Sequence, residues 1–215
     1  MASIRIPKYS LSEELINSIS HGFSALLSIA GLVFCILKAN NVFSLVSVIL
    51  YCSFMIILYT ISCIYHALSP KIKGKKVLRV LDHCGVLLMV AGTYMPICLS
   101  LLINNLALGW TVFGIVWAIT ITAVVFNAIN VDKYEVISVI CNLVLGWGVL
   151  AILKPISYVC RPEGIFFLIF GGILYTVGSI LYAIGAKVKF MHSIFHFFVI
   201  AGSLSHFLFI YLYCI

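Results

Sequence analysis

The stretch MHSIFHF places His192 and His196 four residues apart, and SCIYHALS does the same for Ser62 and His66. Four residues is one helical turn, so each pair lies on a single helix face. A third apolar run opens at LDHCG with Asp82 and His83. His66, His192 and His196 have the ligand count of a three-histidine zinc site whose fourth position is open to water. A Zn2+ ion would replace the solvation that neutral imidazoles lose in an apolar phase. Asp82 could then accept a hydrogen bond from a water on that ion or from the second ring nitrogen of a ligand. Ser62, one turn deeper than His66, could hold that carboxylate or stabilise negative charge on a substrate oxygen. By spacing alone a polar packing network or a proton relay accounts for the same residues. H-x-x-x-H also recurs by chance, and here it lacks the Glu of H-E-x-x-H proteases.

The other polar residues divide by position. In EELINSISHG, Glu14, Asn17 and His21 repeat at three and four residues. They read as a cap and an interhelical polar cluster on the first helix, with Ser12 as its N-cap. His206 lies about 15 Å beyond His196 at 1.5 Å per residue, too far to share an ion, and reads as a relay or a buried polar contact. Of the neighbours Asp82 and His83, at most one faces the bundle centre squarely, because adjacent helical residues diverge by about 100°.

These residues need elements that hold them at one depth. A helix of roughly 20 apolar residues spans the hydrocarbon layer. The apolar pattern predicts seven such spans in one transmembrane domain over residues 1–215: about 18–38, 43–66, 82–103, 107–128, 134–153, 164–186 and 190–213. Residues 84–131 hold no Asp, Glu, Lys or Arg, more than two crossings' worth of chain, and Asn104-Asn105 is the natural turn within them. KPISYVCRPEG reads as a short connection between spans five and six. Gly85 and Gly92 share a face that would admit a neighbouring backbone, and Pro96 predicts a kink. The fold class is therefore all-α and polytopic.

Ten of the thirteen basic residues (Arg5, Lys8, Lys71, Lys73, Lys75, Lys76, Arg79, Lys133, Lys187 and Lys189) fall on one side of a seven-span chain. That bias predicts a cytoplasmic N-terminus and an outside C-terminus. It also sets Ser62, His66, Asp82, His192 and His196 at one depth, near the cytoplasmic side. The run Lys71, Lys73, Lys75, Lys76 and Arg79 reads as a topology determinant.

Composition sets the phase. Apolar residues make up 64% of the chain and charged residues 9%, with a mean hydropathy of +1.23. A soluble domain would carry more charge. The net charge of +7 is too scattered for a nucleic-acid groove, so membrane lipids are the expected partners and nucleic acid is not. Eight cysteines without CxxC spacing read as small buried hydrophobes. MASIRIPKYSLSEEL is polar and mixed, unlike a cleavable signal. Oligomeric state is not legible at this level.

Taken together, EELINSISHG, SCIYHALS, VLDHCGVLLMVAGTYMP and HSIFHFFVIAGSLSH closely resemble the hemolysin III family of bacterial inner-membrane proteins, relatives of the eukaryotic adiponectin and progestin receptor family. The resemblance covers essentially the whole chain. It implies a seven-helix bundle in the cell inner membrane with an intramembrane zinc site near the cytoplasm. The family's serine and histidine fall on Ser62 and His66, its aspartate on Asp82 and its histidine pair on His192 and His196. It further implies two functions: metal-dependent hydrolysis of a lipid amide or ester in the manner of ceramidases, or hemolysin-like pore formation or membrane-lipid homeostasis signalling around a structural zinc. Beyond the site, polar groups on the spans reduce to His206, scattered Ser and Thr, and Asn127 and Asn130, which argues against a channel through a single copy. GTYMP stands where the family usually has Gly-Ser-Tyr-Thr-Pro, and Ser20-His21 where Thr-His is common; neither change touches a proposed ligand.

Overall fold

The computed structural model describes residues 4–185 and 187–215. The first helix, α1 (Leu11–Lys38), starts about two turns earlier than its apolar pattern because its cap is strong. The Ser10 hydroxyl accepts from the Glu13 amide, and the Glu13 carboxylate accepts from the Ser10 amide at 2.9 Å. This reciprocal pair is a capping box. The cap is thus Ser10 rather than Ser12, since only Ser10 has a glutamate three residues on. Residues 39–41 turn the chain into α2 (Val42–Ala67), capped by Asn41 and Ser44 in the same way.

The third helix, α3 (Gly74–Pro96), begins well before Asp82 and draws Lys75 and Arg79 into the bundle. Gly85 and Gly92 bring α3 against α2: a Cβ on Gly85 would stand 2.9 Å from Leu58 Cδ1, and one on Gly92 2.9 Å from Phe54 Cδ2. Past Pro96 the helix loosens into a π-helical turn, Ile97–Leu101, and a 3-10 turn, Ile103–Asn105, from which Asn105 caps the next helix.

That helix, α4 (Leu106–Gly148), is broken at Asn130, whose φ of −162° and ψ of 94° are not helical. Asn127 Nδ2 donates to Ser138 Oγ at 3.0 Å, and Phe126 stacks on Tyr134 with ring centroids 4.9 Å apart. Residues eleven apart on a straight helix would be about 16 Å apart, so the chain turns back and the two arms, 106–129 and 131–148, are antiparallel. Asn130 Oδ1 caps the second arm by accepting from the Lys133 amide. The expected short connection after the second arm is instead helical, through a 3-10 turn (Val149–Ile152) into α5 (Leu153–Val159). α6 (Pro162–Gly185) follows with proline in its first turn, where a missing N–H costs nothing. α7 (Met191–Phe209) ends in a π-helical turn, Ile210–Cys214.

Among the described residues, six helices are long and apolar enough to cross a membrane; the fourth covers Ile103–Val159 and contains the break at Asn130. Large apolar side chains such as Ile19, Phe23, Leu26, Val33 and Leu37 of α1 point outward, a face that only lipid suits. The chain is a multi-pass, all-helical membrane protein. The start of α1, the end of α2, the start of α3, the Asn130 break and the α6–α7 turn meet at one end of the bundle. All eight cysteines are unpaired, six of them buried.

Candidate metal centre

His66 is the penultimate residue of α2, while His192 and His196 occupy the first two turns of α7. The rings converge: His66 lies 5.4 Å from His192 and 4.9 Å from His196 between centroids. One ring nitrogen from each of the three lies within 4.8 Å of the others, and His192 Nε2 stands 3.0 Å from His196 Nε2. Three nitrogens on a tetrahedral zinc, at 2.0–2.1 Å each, are about 3.3 Å apart. All three side chains are buried, and His66 Nε2 has no hydrogen-bond partner. Unpartnered buried nitrogens are costly, and facing imidazole nitrogens suit a shared cation, so the residues fit a metal.

The polar stripe of α1 points at this triad. Glu14 Oε2 lies 2.6 Å from His66 Nδ1, Asn17 Nδ2 lies 3.5 Å from the same nitrogen, and the His21 ring sits 3.9 Å from that of His196. Both nitrogens of His21 are buried without partners. The second ring nitrogen of a histidine in the triad is therefore held by Glu14, one of the two roles that the residue pattern left open to Asp82.

Asp82 faces the triad across a cavity of about 100 Å³ that it lines with Tyr9, Ser62, His83, His192 and His196. Both Asp82 and its neighbour His83 line this cavity. Ser62 Oγ is buried and makes no hydrogen bond. His206 is a buried polar contact well away from the triad, its Nε2 3.1 Å from the Leu168 carbonyl.

Several residues at the site escaped the pattern. Tyr9 stacks on His192 at 4.7 Å and 21°, and burial, aided by Glu14, pushes its phenol above the ordinary range and keeps it neutral. The segment before α1 lines the cavity with Pro7 and Tyr9, and its Arg5 amide donates to Asp132 at 2.8 Å. Arg79 pairs with Asp132 and reaches Glu135 at 3.6 Å, and Tyr182 donates to Glu135. Glu13 also accepts from the Phe190 amide at 2.7 Å, which anchors a turn where Phe190 has a φ of 63°, costly for a residue with a Cβ.

Two members of the basic run are also built into the bundle. Lys75 and Arg79 are 1% and 4% exposed, and Lys75 donates to Glu14 and to the Leu68 carbonyl. A signal was available: Lys75, Arg79 and Asp82 repeat at helical spacing on one face. Lys75→Met should therefore cost ~3 kcal/mol by leaving Glu14 without its cation, whereas Lys76→Met, next door and exposed, should stay within about 0.5 kcal/mol. Thermal melting in detergent checks this, and equal midpoints for the two variants would refute the buried pair.

The chain resembles known proteins along nearly its whole length. The family model described as "Haemolysin-III related" matches residues 9–207. The chain is 36% identical over 210 residues to a "Hemolysin-3 homolog" of Bacillus subtilis (strain 168), covering 96% of this chain and 97% of that protein. It is 34% identical over 197 residues to "Hemolysin-3" of Bacillus cereus, covering 90% and 88%. More distantly, it is 21% identical over 208 residues to "Monocyte to macrophage differentiation factor" of Homo sapiens, covering 94% and 84%. A match running from the strap before α1 to the last turns of α7, through every residue of the triad, means that this chain belongs to the haemolysin-III related family.

Proposed function

We propose that the protein is a zinc-binding hydrolase of the inner membrane that cleaves a lipid amide or ester. The observation that carries this reading is one cavity lined by two of the three clustered histidines, a carboxylate and an unpartnered hydroxyl. The bundle crosses the membrane seven times, each arm of α4 crossing once, with the N-terminus and the site on the cytoplasmic side. The distribution of Lys and Arg supports that orientation.

His66, His192 and His196 hold the ion, which when bound supplies a Lewis acid for a carbonyl and lowers the pKa of water. Asp82 orients the attacking water and takes its proton. The Ser62 hydroxyl donates to the carbonyl oxygen as negative charge develops there. The water oxygen bonds to the carbonyl carbon, the C–N or C–O bond breaks, and the proton leaves with the amine or alcohol. The acyl chain extends into a second cavity of about 80 Å³, which shares Val86, Asn142, Ser179, Phe195 and Val199 with the first and is otherwise lined mainly by apolar and aromatic side chains. Asn142 on the second arm of α4 and Ser179 on α6 border both cavities, and in this reading the seam between those helices is the lateral entry for lipid.

The name borne by the Bacillus cereus relative suggests pore formation as a second reading. The apolar lining of the deeper cavity argues against a pore through one copy and leaves an oligomeric one. The decisive experiment supplies zinc-loaded, detergent-purified protein with a panel of lipid amides and esters and measures free fatty acid. Release above a zinc-stripped control is expected; retained zinc with no release from any lipid class would sink the hydrolase reading.

A further inference from the structure

His66 is gripped from behind by groups that the hydrolysis above does not use. Glu14 presents one carboxylate oxygen to His66 Nδ1 at 2.6 Å and the other to Lys75 Nζ, also at 2.6 Å. Lys75 donates again to the Leu68 carbonyl at 2.8 Å and lies 5.0 Å from the centre of the Tyr65 ring. Tied to α2 and to the chain just beyond it, this ammonium fixes how the Glu14 carboxylate is turned. An ammonium can only donate and a carboxylate can only accept, so the oxygen facing His66 requires a proton on Nδ1. An imidazole protonated there carries its lone pair on Nε2, and His66 Nε2 is the buried nitrogen left without a partner. Asn17 is a weaker candidate for the same role: its Nδ2 is 3.5 Å away, at the edge of hydrogen-bond range, and a donor does not suit a nitrogen that carries a proton.

We propose that Glu14, oriented by Lys75, is the positioning carboxylate of His66, placing the ring proton on Nδ1 and aiming the bare Nε2 at the metal. This rests on the reading of His66, His192 and His196 as a zinc site. It assigns a role to α1, which supplies no ligand, and gives the basic residue at the start of α3 a part in metal affinity beyond setting topology. Carboxylate partners of histidine ligands hold the ring orientation and raise its basicity, and their loss typically weakens metal binding by ~10- to 100-fold.

The test is a zinc titration of the full-length protein in detergent against a chromophoric chelator, with melting of the zinc-free forms as a check on folding. Glu14→Gln should weaken zinc by ~10- to 100-fold and should weaken it no further when His66 is already Ala. That coupling separates action through His66 from general loosening of the bundle. Lys75→Gln should weaken zinc by a smaller factor and add nothing to Glu14→Gln. If Glu14→Gln fails to survive purification, Lys75→Gln carries the test alone. Wild-type zinc affinity in Glu14→Gln, or in Lys75→Gln where it stands alone, overturns the proposal, as does an equal loss with and without the His66 imidazole. If His192→Ala loses zinc while Glu14→Gln keeps it, only this inference fails. If wild type itself binds no zinc, the zinc site fails and takes this inference with it.

Discussion

Protein carrying His192→Ala should purify with almost no zinc, where wild type should carry about one ion per chain. The reason is geometric. His192 Nε2 and His196 Nε2 face each other at 3.0 Å, one turn apart on α7, and His66 closes the set from α2. Small zinc sites bind with apparent energies of ~10–16 kcal/mol in total. One ligand's share is therefore ~3–5 kcal/mol, and its removal weakens binding by roughly 10²- to 10⁴-fold. Because the ion would cross-link α2 and α7, added zinc should raise the melting temperature of wild type by mass action and leave the variant unmoved. Metal analysis and a melting series with and without zinc measure both effects. A variant that keeps a full complement of zinc would show that the convergence of rings is packing alone.

Asp82→Asn should separate chemistry from metal retention. The substitution is nearly isosteric, and the carboxylate lines the cavity without standing among the three convergent nitrogens. If Asp82 takes the proton of the attacking water, its amide cannot, and fatty-acid release should fall by ~10²- to 10⁴-fold, the usual worth of a general base. Zinc content and melting temperature should stay near those of wild type. Unchanged hydrolysis would remove Asp82 from the proton transfer. A parallel fall in bound zinc would instead place it in the ligand sphere.

The candidate site was unusually legible because its parts obey short-range rules. His192 and His196 are one turn apart on any helix, as are Ser62 and His66. The charge asymmetry of the loops predicts one level for the end of α2 and the start of α7, and the three rings do converge. Gly85 and Gly92 likewise announced a close approach, realised against Leu58 and Phe54 of α2. Helix starts were less legible. α1 and α3 each extend beyond their apolar stretches, because a capping box or a paired lysine can sustain a helix that hydropathy alone would end.

What the chain determines by itself is its phase, most of its helices and the helix face on which each histidine pair lies, since hydropathy and periodicity act over a few residues or one span. What only the tertiary structure decides is partnership across long separations. Lys75 and Lys76 are neighbours of one residue type, yet one is buried on Glu14 and the other is exposed. Glu14 rather than Asp82 takes the second nitrogen of His66, 52 residues away along the chain. The physical reason is that the worth of a charge depends on what desolvates it and what lies opposite, and both are supplied by other helices.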